Sequence, residues 1–158
     1  MRHEPSQFLS KKALPVWRLR ACFESLFVAL IPIGYGVLVY FFSIPLWIFW
    51  ILLSGFIIYF IITVFVIPPL QWKKWRYEVL ADEIDLQRGV FIVKRTLIPM
   101  TRVQHVDTEQ GPLLRRYKLA AVSISTAATV HQIPSLTMEV ADELRDRIAE
   151  LAAVAEDE

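Results

Sequence analysis

Few residues in this sequence could perform chemistry, and the best candidates alternate along one predicted strand. His105, Asp107 and Glu109 would share a strand face, at about 6–7 Å per step. With the distant His131, such a face could hold a metal ion or an acid–base pair. One histidine and two acids in this pattern are more typical of a solvated surface.

Other catalytic signatures are missing from the sequence. Ser123 and Ser125 do not lie in a Gly-x-Ser-x-Gly context, and there is no glycine-rich phosphate loop. The lone cysteine, Cys22, rules out an internal disulfide and is compatible with a reducing compartment. We therefore expect no enzyme, no metal and no cofactor.

Basic side chains are the stronger candidates for binding. They fall on neighbouring predicted strands and on the turn that follows, and could bind phosphate, carboxylate or a protein partner. The candidates are Lys94, Arg95, Arg102, Arg115, Arg116 and Lys118. They could equally pair with Glu78, Asp85 or Glu109, and the sequence leaves both options open. The formal net charge of +1 gives no argument for nucleic acid, which we do not expect as a partner.

The elements that carry these residues follow from the charge distribution. Residues 25–72 contain no charged residue, and an uncharged run of this length predicts two bilayer spans. This pattern excludes an ordinary soluble protein, a disordered tail and a secreted disulfide scaffold. We expect an N-terminal segment (1–20), a transmembrane hairpin (21–70, spans about 22–42 and 46–67) and a globular module (71–158).

The predicted hairpin turns at Ser43-Ile44-Pro45 and ends at Pro68-Pro69, because proline lacks the N–H that a helix interior needs. Gly34, Ser54 and Gly55 fall at similar depth, where close helix packing is expected. The spans hold no ionisable residue beyond the boundary Glu24, which favours an anchor over a transporter. A homo-oligomeric pore stays possible.

Flanking charges predict the orientation. Basic residues precede the first span and follow the second, and the turn has none, so both termini should face the cytoplasm. Just after the hairpin, Lys73, Lys74 and Arg76, with Trp72 and Trp75, are predicted to contact the inner leaflet. Each cation there can contribute on the order of 1 kcal/mol with anionic lipid. Alternatively, these cations only fix the orientation.

The globular module shows short alternating runs broken by turn residues. We predict strands at 75–80, 83–88, 90–98, 101–109, 119–126 and 130–133, with a helical turn from Gly111 to Tyr117. The 101–109 run alternates imperfectly, which predicts a bulge. A helix at about 137–155 has one apolar stripe, formed by Ala141, Leu144, Ile148, Leu151 and Ala155. The fold class is α+β: a transmembrane hairpin, then an antiparallel barrel or sandwich capped by a C-terminal helix.

Several motifs carry a resemblance over the whole chain. They are Trp75-Arg76-Tyr77, Gly89-Val90-Phe91 with Lys94-Arg95-Thr96, 102–107 (RVQHVD), 110–115 (QGPLLR) and 123–127 (SISTA). The chain resembles the bacterial pleckstrin-homology (PH)-like membrane proteins of the YdbS type, formerly a domain of unknown function. The resemblance implies two antiparallel sheets closed by a C-terminal helix, and a glycine is typical where Lys118 stands. PH-like folds serve lipid, peptide and oligomerisation roles, so the family does not fix the function.

Two functions from different classes remain. The first is a membrane-anchored adaptor or assembly subunit whose partner is itself or another membrane protein of the family. The second is a sensor of anionic lipid head groups at the inner leaflet. A component of an export or resistance system is a third class. We favour assembly, because the hairpin already supplies membrane attachment.

Overall fold

The computed structural model describes residues 3–157 and the side chains of residues 3–155. The described chain divides into two compact units. The globular unit comprises residues 3–16 with 70–157, and the hairpin unit comprises Trp17–Pro69. Each unit is described separately below.

Long helices form the hairpin unit. Helix α1 spans Ala13–Phe42, and α2 spans Leu46–Ile61. A π-helical turn at Ile62–Val66 continues into α3, Ile67–Lys74. Two stretches, Ala13–Phe42 and Leu46–Lys74, are long and apolar enough to cross a membrane. Most of their large apolar side chains are exposed, as a helix surrounded by lipid requires.

The prediction that Pro68-Pro69 ends the second helix is wrong. The helix continues through both prolines to Lys74. The prolines fall in the first turn of α3, where a missing N–H does little harm. The preceding π-helical turn changes the hydrogen-bond register, with the Ile67 N–H donating to the Ile62 carbonyl.

The predicted close packing at Gly34 and Gly55 is also wrong within this chain. A Cβ added at either glycine would meet nothing within 4 Å. Ser54 is exposed and donates its hydroxyl to the Trp50 carbonyl at 2.7 Å. The helices approach closely at Gly36 instead, where an added Cβ would lie 3.1 Å from the Phe49 ring. Depth matching therefore missed the contact, because Phe49 lies more than one helical turn closer to the loop than Ser54.

Two antiparallel sheets form most of the globular unit. Sheet A has the order β1-β2-β3-β4 and sheet B the order β5-β6-β7. The strands are β1 (Gln7–Phe8), β2 (Arg76–Val79), β3 (Glu83–Arg88), β4 (Lys94–Pro99), β5 (Val103–Glu109), β6 (Leu119–Thr126) and β7 (Val130–Thr137). The short helix α4 (Pro112–Arg116) joins β5 to β6, and α5 (Met138–Asp157) follows β7. This confirms the α+β class, with two apolar helices, two antiparallel sheets and a C-terminal helix.

The first strand lies before the hairpin in sequence. Gln7 pairs with Tyr77 and Phe8 with Arg76, so the N-terminal segment completes sheet A. Leu9 and Ala13 are buried in the same unit. The hairpin is therefore inserted between the first two strands of the sheet, and a separate segment at 1–20 is wrong.

Most strands of the module lie where the alternation predicts them. Strands β3 and β6 match the predicted bounds, and β5 has the predicted irregularity, a register shift between Val103 and His105. The strand predicted at 90–98 is wrong in its first half, because residues 90–93 form a loop and β4 begins at Lys94. Strand β7 runs past Pro134, which lies in a bulge where no ladder N–H is needed.

The core lies between the inner faces of the sheets and α5. Ala141, Leu144 and Ile148 of the predicted stripe are buried, and Leu151 and Ala155 are half-buried. Strand β6 is buried on both faces from Leu119 to Ile124, as the central strand of sheet B. These contacts fix the positions of the loops described next.

Candidate functional site

The strand face that could have held a metal is open to solvent. His105, Asp107 and Glu109 lie on β5 with exposed side chains, and Gln132 donates a hydrogen bond to Glu109 at 3.0 Å. Within residues 3–157, no group of three or more histidine, cysteine or acidic side chains is arranged to hold a metal ion.

The predicted basic cluster does not form one site. Strand β4 separates Lys94 at its start from Arg102, which lies beyond its end. Arg115, Arg116 and Lys118 lie on or just after α4, between β5 and β6. The six candidates therefore occupy several places on the globular unit.

Arg95 is occupied by an intramolecular ion pair, so it is wrong as a free anion-binding residue. Its Nε lies 3.0 and 2.9 Å from the two carboxylate oxygens of Asp85, and its Nη2 donates to the carbonyl of His3. The Asp85 side chain is 4% exposed. The hydrogen bonds that Arg95 donates to Asp85 raise the pKa of Arg95, so this guanidinium remains charged.

Lys94 belongs to a different group of cations. It pairs in register with Arg88 at the base of the loop that joins β3 to β4, and both side chains are exposed. Partial burial, and then the charges of Arg88 and Lys94, lower the pKa of His131. With its pKa lowered, the imidazole is mostly neutral at pH 7.

The α4 cations form a compact exposed group. Arg115 and Arg116 end the helix, and Lys118 follows with a φ of 54°, in the left-handed region. A left-handed residue that carries a Cβ is strained, which gives a physical reason for the glycine expected at this position. All three side chains are exposed.

Three of the residues predicted to contact the inner leaflet make contacts within the globular unit. Trp75 is 4% exposed. The Trp72 indole donates to the carbonyls of Leu9 and Ser10 at 3.2 and 3.1 Å. Arg76 binds Glu4 at 2.7 Å and lies 4.8 Å from the centre of the Phe8 ring. Trp75 is therefore wrong as a lipid contact because it is buried, whereas the lipid contacts of Trp72 and Arg76 stay predictions.

Lys73 and Lys74 remain exposed at the end of α3.

The segment before β1 lies across the outer face of sheet A. Its His3 carbonyl accepts from Arg95, its Glu4 carboxylate binds Arg76, and its Ser6 hydroxyl donates to Glu78 at 2.9 Å. Pro5 is fully buried. This covering segment binds Arg76 through Glu4, and it adds the His3 carbonyl to the Arg95–Asp85 pair, which itself joins β4 to β3.

A groove lies between the two edge strands, β1 and β7, beside α5. Its volume is about 450 Å³. Its lining comes from all three elements and from β2: Gln7, Phe8, Ser10, Tyr77, Leu136, Thr137, Val140, Glu143, Leu144 and Arg147. Burial raises the pKa of Tyr77, so its phenol stays protonated there. Sequence reasoning missed this groove, because β1 has only two residues and shows no alternation.

A second cavity of about 470 Å³ lies at the corner between β4 and β5. Arg102 and His131 line it, together with the β6–β7 turn at Thr126–Thr129. Arg102 is the one permanently charged side chain in this lining.

The order of elements decides the family. Seven strands in two antiparallel sheets with a C-terminal helix are the arrangement of PH-like folds, and the bacterial PH domain family matches residues 25–152. The chain belongs to the bacterial PH domain family. Its match begins inside the hairpin, so β1 of this bacterial PH domain lies before the matched region.

Two proteins of Bacillus subtilis (strain 168) are similar to this bacterial PH domain protein. UPF0699 transmembrane protein YdbS is 52% identical over 158 residues, covering 100% of this chain and 99% of the relative. UPF0699 transmembrane protein YdbT is 26% identical over 81 residues, covering 51% of this chain and 16% of the relative. No solved structure matches the chain at a significant level. The chain is thus a membrane protein of the UPF0699 family.

Proposed function

We propose that this protein is a non-enzymatic assembly subunit, an adaptor whose bacterial PH domain docks another membrane protein at the bilayer. The partner is a second copy of the chain or a larger protein of the same family. The groove between β1 and β7 carries the proposal.

Two edge strands line that groove. Gln7 and Phe8 come from β1 and Leu136 and Thr137 from β7, and each strand is the outermost of its sheet. An extended segment of a partner can add to such an edge through main-chain hydrogen bonds, with side chains in flanking pockets. Val140 of α5, which is 41% exposed, supplies an apolar wall.

The relatives support a partner within the family. YdbT matches this chain over only 16% of its own length, so it is a much larger protein with one segment related to this module. Two family members of different size, one a single module and one larger, are what an assembly of related subunits requires.

The hairpin supports an anchoring role. Spans without ionisable groups lack the relays of pumps, so a transport or export function would need a pore formed by several copies. Because Phe8 pairs with Arg76, the residues on both sides of the hairpin lie on one side of the bilayer. The basic flanks support a cytoplasmic location for that side by the positive-inside rule.

Photo-crosslinking in native membranes tests the groove. A photoreactive amino acid replaces Val140 at the groove, and in a control it replaces Val154, which is 56% exposed about four turns further along α5. We expect a discrete adduct with a second copy or a family member from position 140 and none from position 154. Identical patterns at the two positions, or no adduct at 140, would contradict the proposal.

A second candidate function is recognition of anionic head groups. Arg115, Arg116 and Lys118 form an exposed cationic group that could bind phosphate. Under this alternative, the double variant Arg115→Gln and Arg116→Gln loses binding to phosphatidylglycerol vesicles, and added salt weakens binding by the parent protein.

A further inference from the structure

The loop between β3 and β4 presents large apolar side chains to solvent. Phe91 is 92% exposed and Ile92 is 84% exposed, and Val93 follows at 47%. Phe91 and Ile92 are the two most exposed large apolar side chains on the described part of the globular unit. A contiguous apolar tip of this kind marks a surface that binds something apolar.

The tip has a defined shape. Gly89 has a φ of +121°, and a Cβ added there would lie 1.9 Å from the Ile92 carbonyl oxygen. The loop therefore folds tightly back on the glycine, and Arg88 pairs with Lys94 across its base. Phe91 and Ile92 are held at the apex of a closed turn, so binding there costs little ordering entropy.

Cations surround this end of sheet A. The strand register places the loop at the end where β1 finishes and β2 starts, since Phe8 pairs with Arg76 and Arg76 with Gln87. The exposed cations at or next to this end are Lys11, Lys12, Lys73, Lys74, Arg88 and Lys94. The acids of sheet A, such as Glu78 and Glu83, lie further toward the β2–β3 turn.

We propose that the β3–β4 loop is a membrane-inserting tip: Phe91 and Ile92 enter the acyl boundary of an anionic bilayer while Arg88 and Lys94 bind lipid phosphates. An apolar apex within a ring of cations is complementary to one leaflet of an anionic bilayer. The apex would contact the acyl chains, and the cations would contact the phosphates above them. A protein partner would instead need an apolar pocket within an acidic rim. The tip acts independently of the groove.

Spin labelling of the full-length protein in nanodiscs tests this proposal. In a Cys22→Ser background, Ile92→Cys carries a spin label, and Ala81→Cys carries it in the control. Ala81 is exposed in the turn at the opposite end of β2 and β3. The discs contain phosphatidylglycerol and phosphatidylcholine, or phosphatidylcholine alone.

We expect the label at 92 to lie about 5–10 Å below the head groups in the anionic discs. It should collide several-fold more with oxygen than with an aqueous nickel complex, and the label at 81 should show the reverse. A label at 92 as accessible to nickel as the label at 81 would overturn the proposal. So would protection at 92 that persists in detergent and grows with protein concentration, since that result indicates a protein partner.

Two variants separate insertion from misfolding. Arg88→Gln with Lys94→Gln should reduce insertion in the anionic discs and leave the phosphatidylcholine discs unchanged. Phe91→Ser should make the label at 92 accessible to nickel without lowering the melting temperature, because Phe91 contributes almost nothing to the core. Unchanged insertion in both variants would contradict the proposed contacts.

Discussion

Individual cations differ in whether they form ion pairs within the folded protein. Arg76 and Arg95 bind carboxylates, whereas Lys73, Lys74 and Lys94 stay exposed. A planar guanidinium suits bidentate pairing with a buried carboxylate such as Asp85, and a lysine ammonium favours hydration. The sequence could name Asp85 as an alternative partner for Arg95, but it could not choose between an internal pair and a free cation, because the choice depends on how β3 and β4 pair in the folded sheet.

The lowered pKa of His131 makes the stability of the globular unit depend on pH, and the direction of the shift gives the sign of that dependence. Its folded pKa is below the ordinary value of 6.5, so the native state binds fewer protons than the unfolded state as pH falls through that region. Stability is full above the unfolded pKa and decreases as the pH falls below it. We expect the melting temperature of the detergent-solubilised protein to fall between about pH 7.5 and pH 5.5, and to fall less in His131→Gln.

The same histidine reports on the cationic end of β4. Lys94→Gln removes one of the two positive charges that lower its pKa, so the His131 pKa measured by NMR should rise. An unchanged His131 pKa in this variant would contradict the contribution of the Lys94 charge.

Lys118 is strained by its backbone. Relief of a left-handed φ is worth about 1–2 kcal/mol, and a glycine costs about 0.5–1 kcal/mol in chain entropy. Lys118→Gly should therefore raise the free energy of unfolding by about 0.5–1 kcal/mol. Lys118→Ala, which keeps the Cβ, is the control, and an equal gain from both would contradict the backbone explanation.

Among the elements, the two-residue strand β1 matters more than its length suggests. Leu9, directly after it, is 3% exposed. Leu9→Ala should lower the free energy of unfolding by about 2–4 kcal/mol, because it leaves a cavity in a core that cannot fully collapse.

Leu80→Ala makes the same change at a side chain that is 43% exposed, and should cost less than about 0.5 kcal/mol. Chemical denaturation of the full-length protein in detergent measures both. Equal effects would mean that the N-terminal segment is not part of the core.

Element prediction succeeded for strands that pack in the core and failed for a segment outside it. The apolar residues of β3, Ile84 and Leu86, alternate and are buried, and its bounds were predicted, whereas residues 90–93 read as a strand only because they are apolar. The sequence pattern does not distinguish an apolar strand from an apolar tip that lies outside the core. A strand with one buried face alternates apolar and polar residues, and residues 90–93 contain no polar residue.

At the scale of the whole chain, the uncharged run located the hairpin, and the alternating runs located the module. The insertion of the hairpin between β1 and β2 was not predictable, because two residues carry too little pattern to indicate a strand. The candidate sites were predicted only in part for the same reason. The β1–β7 groove, the Arg76–Glu4 ion pair and the bond from Arg95 to the His3 carbonyl all depend on that short strand and the segment before it.

Cysteine accessibility in intact spheroplasts tests the central claim, that one cytoplasmic module is built from both sides of a membrane hairpin. In the Cys22→Ser background, His3→Cys and Ala153→Cys mark the two sides of the module, and Leu46→Cys marks the turn; all three positions are exposed. An impermeant thiol reagent should label position 46 in intact spheroplasts, and positions 3 and 153 only after permeabilisation. Labelling of position 3 or 153 before permeabilisation would contradict the account.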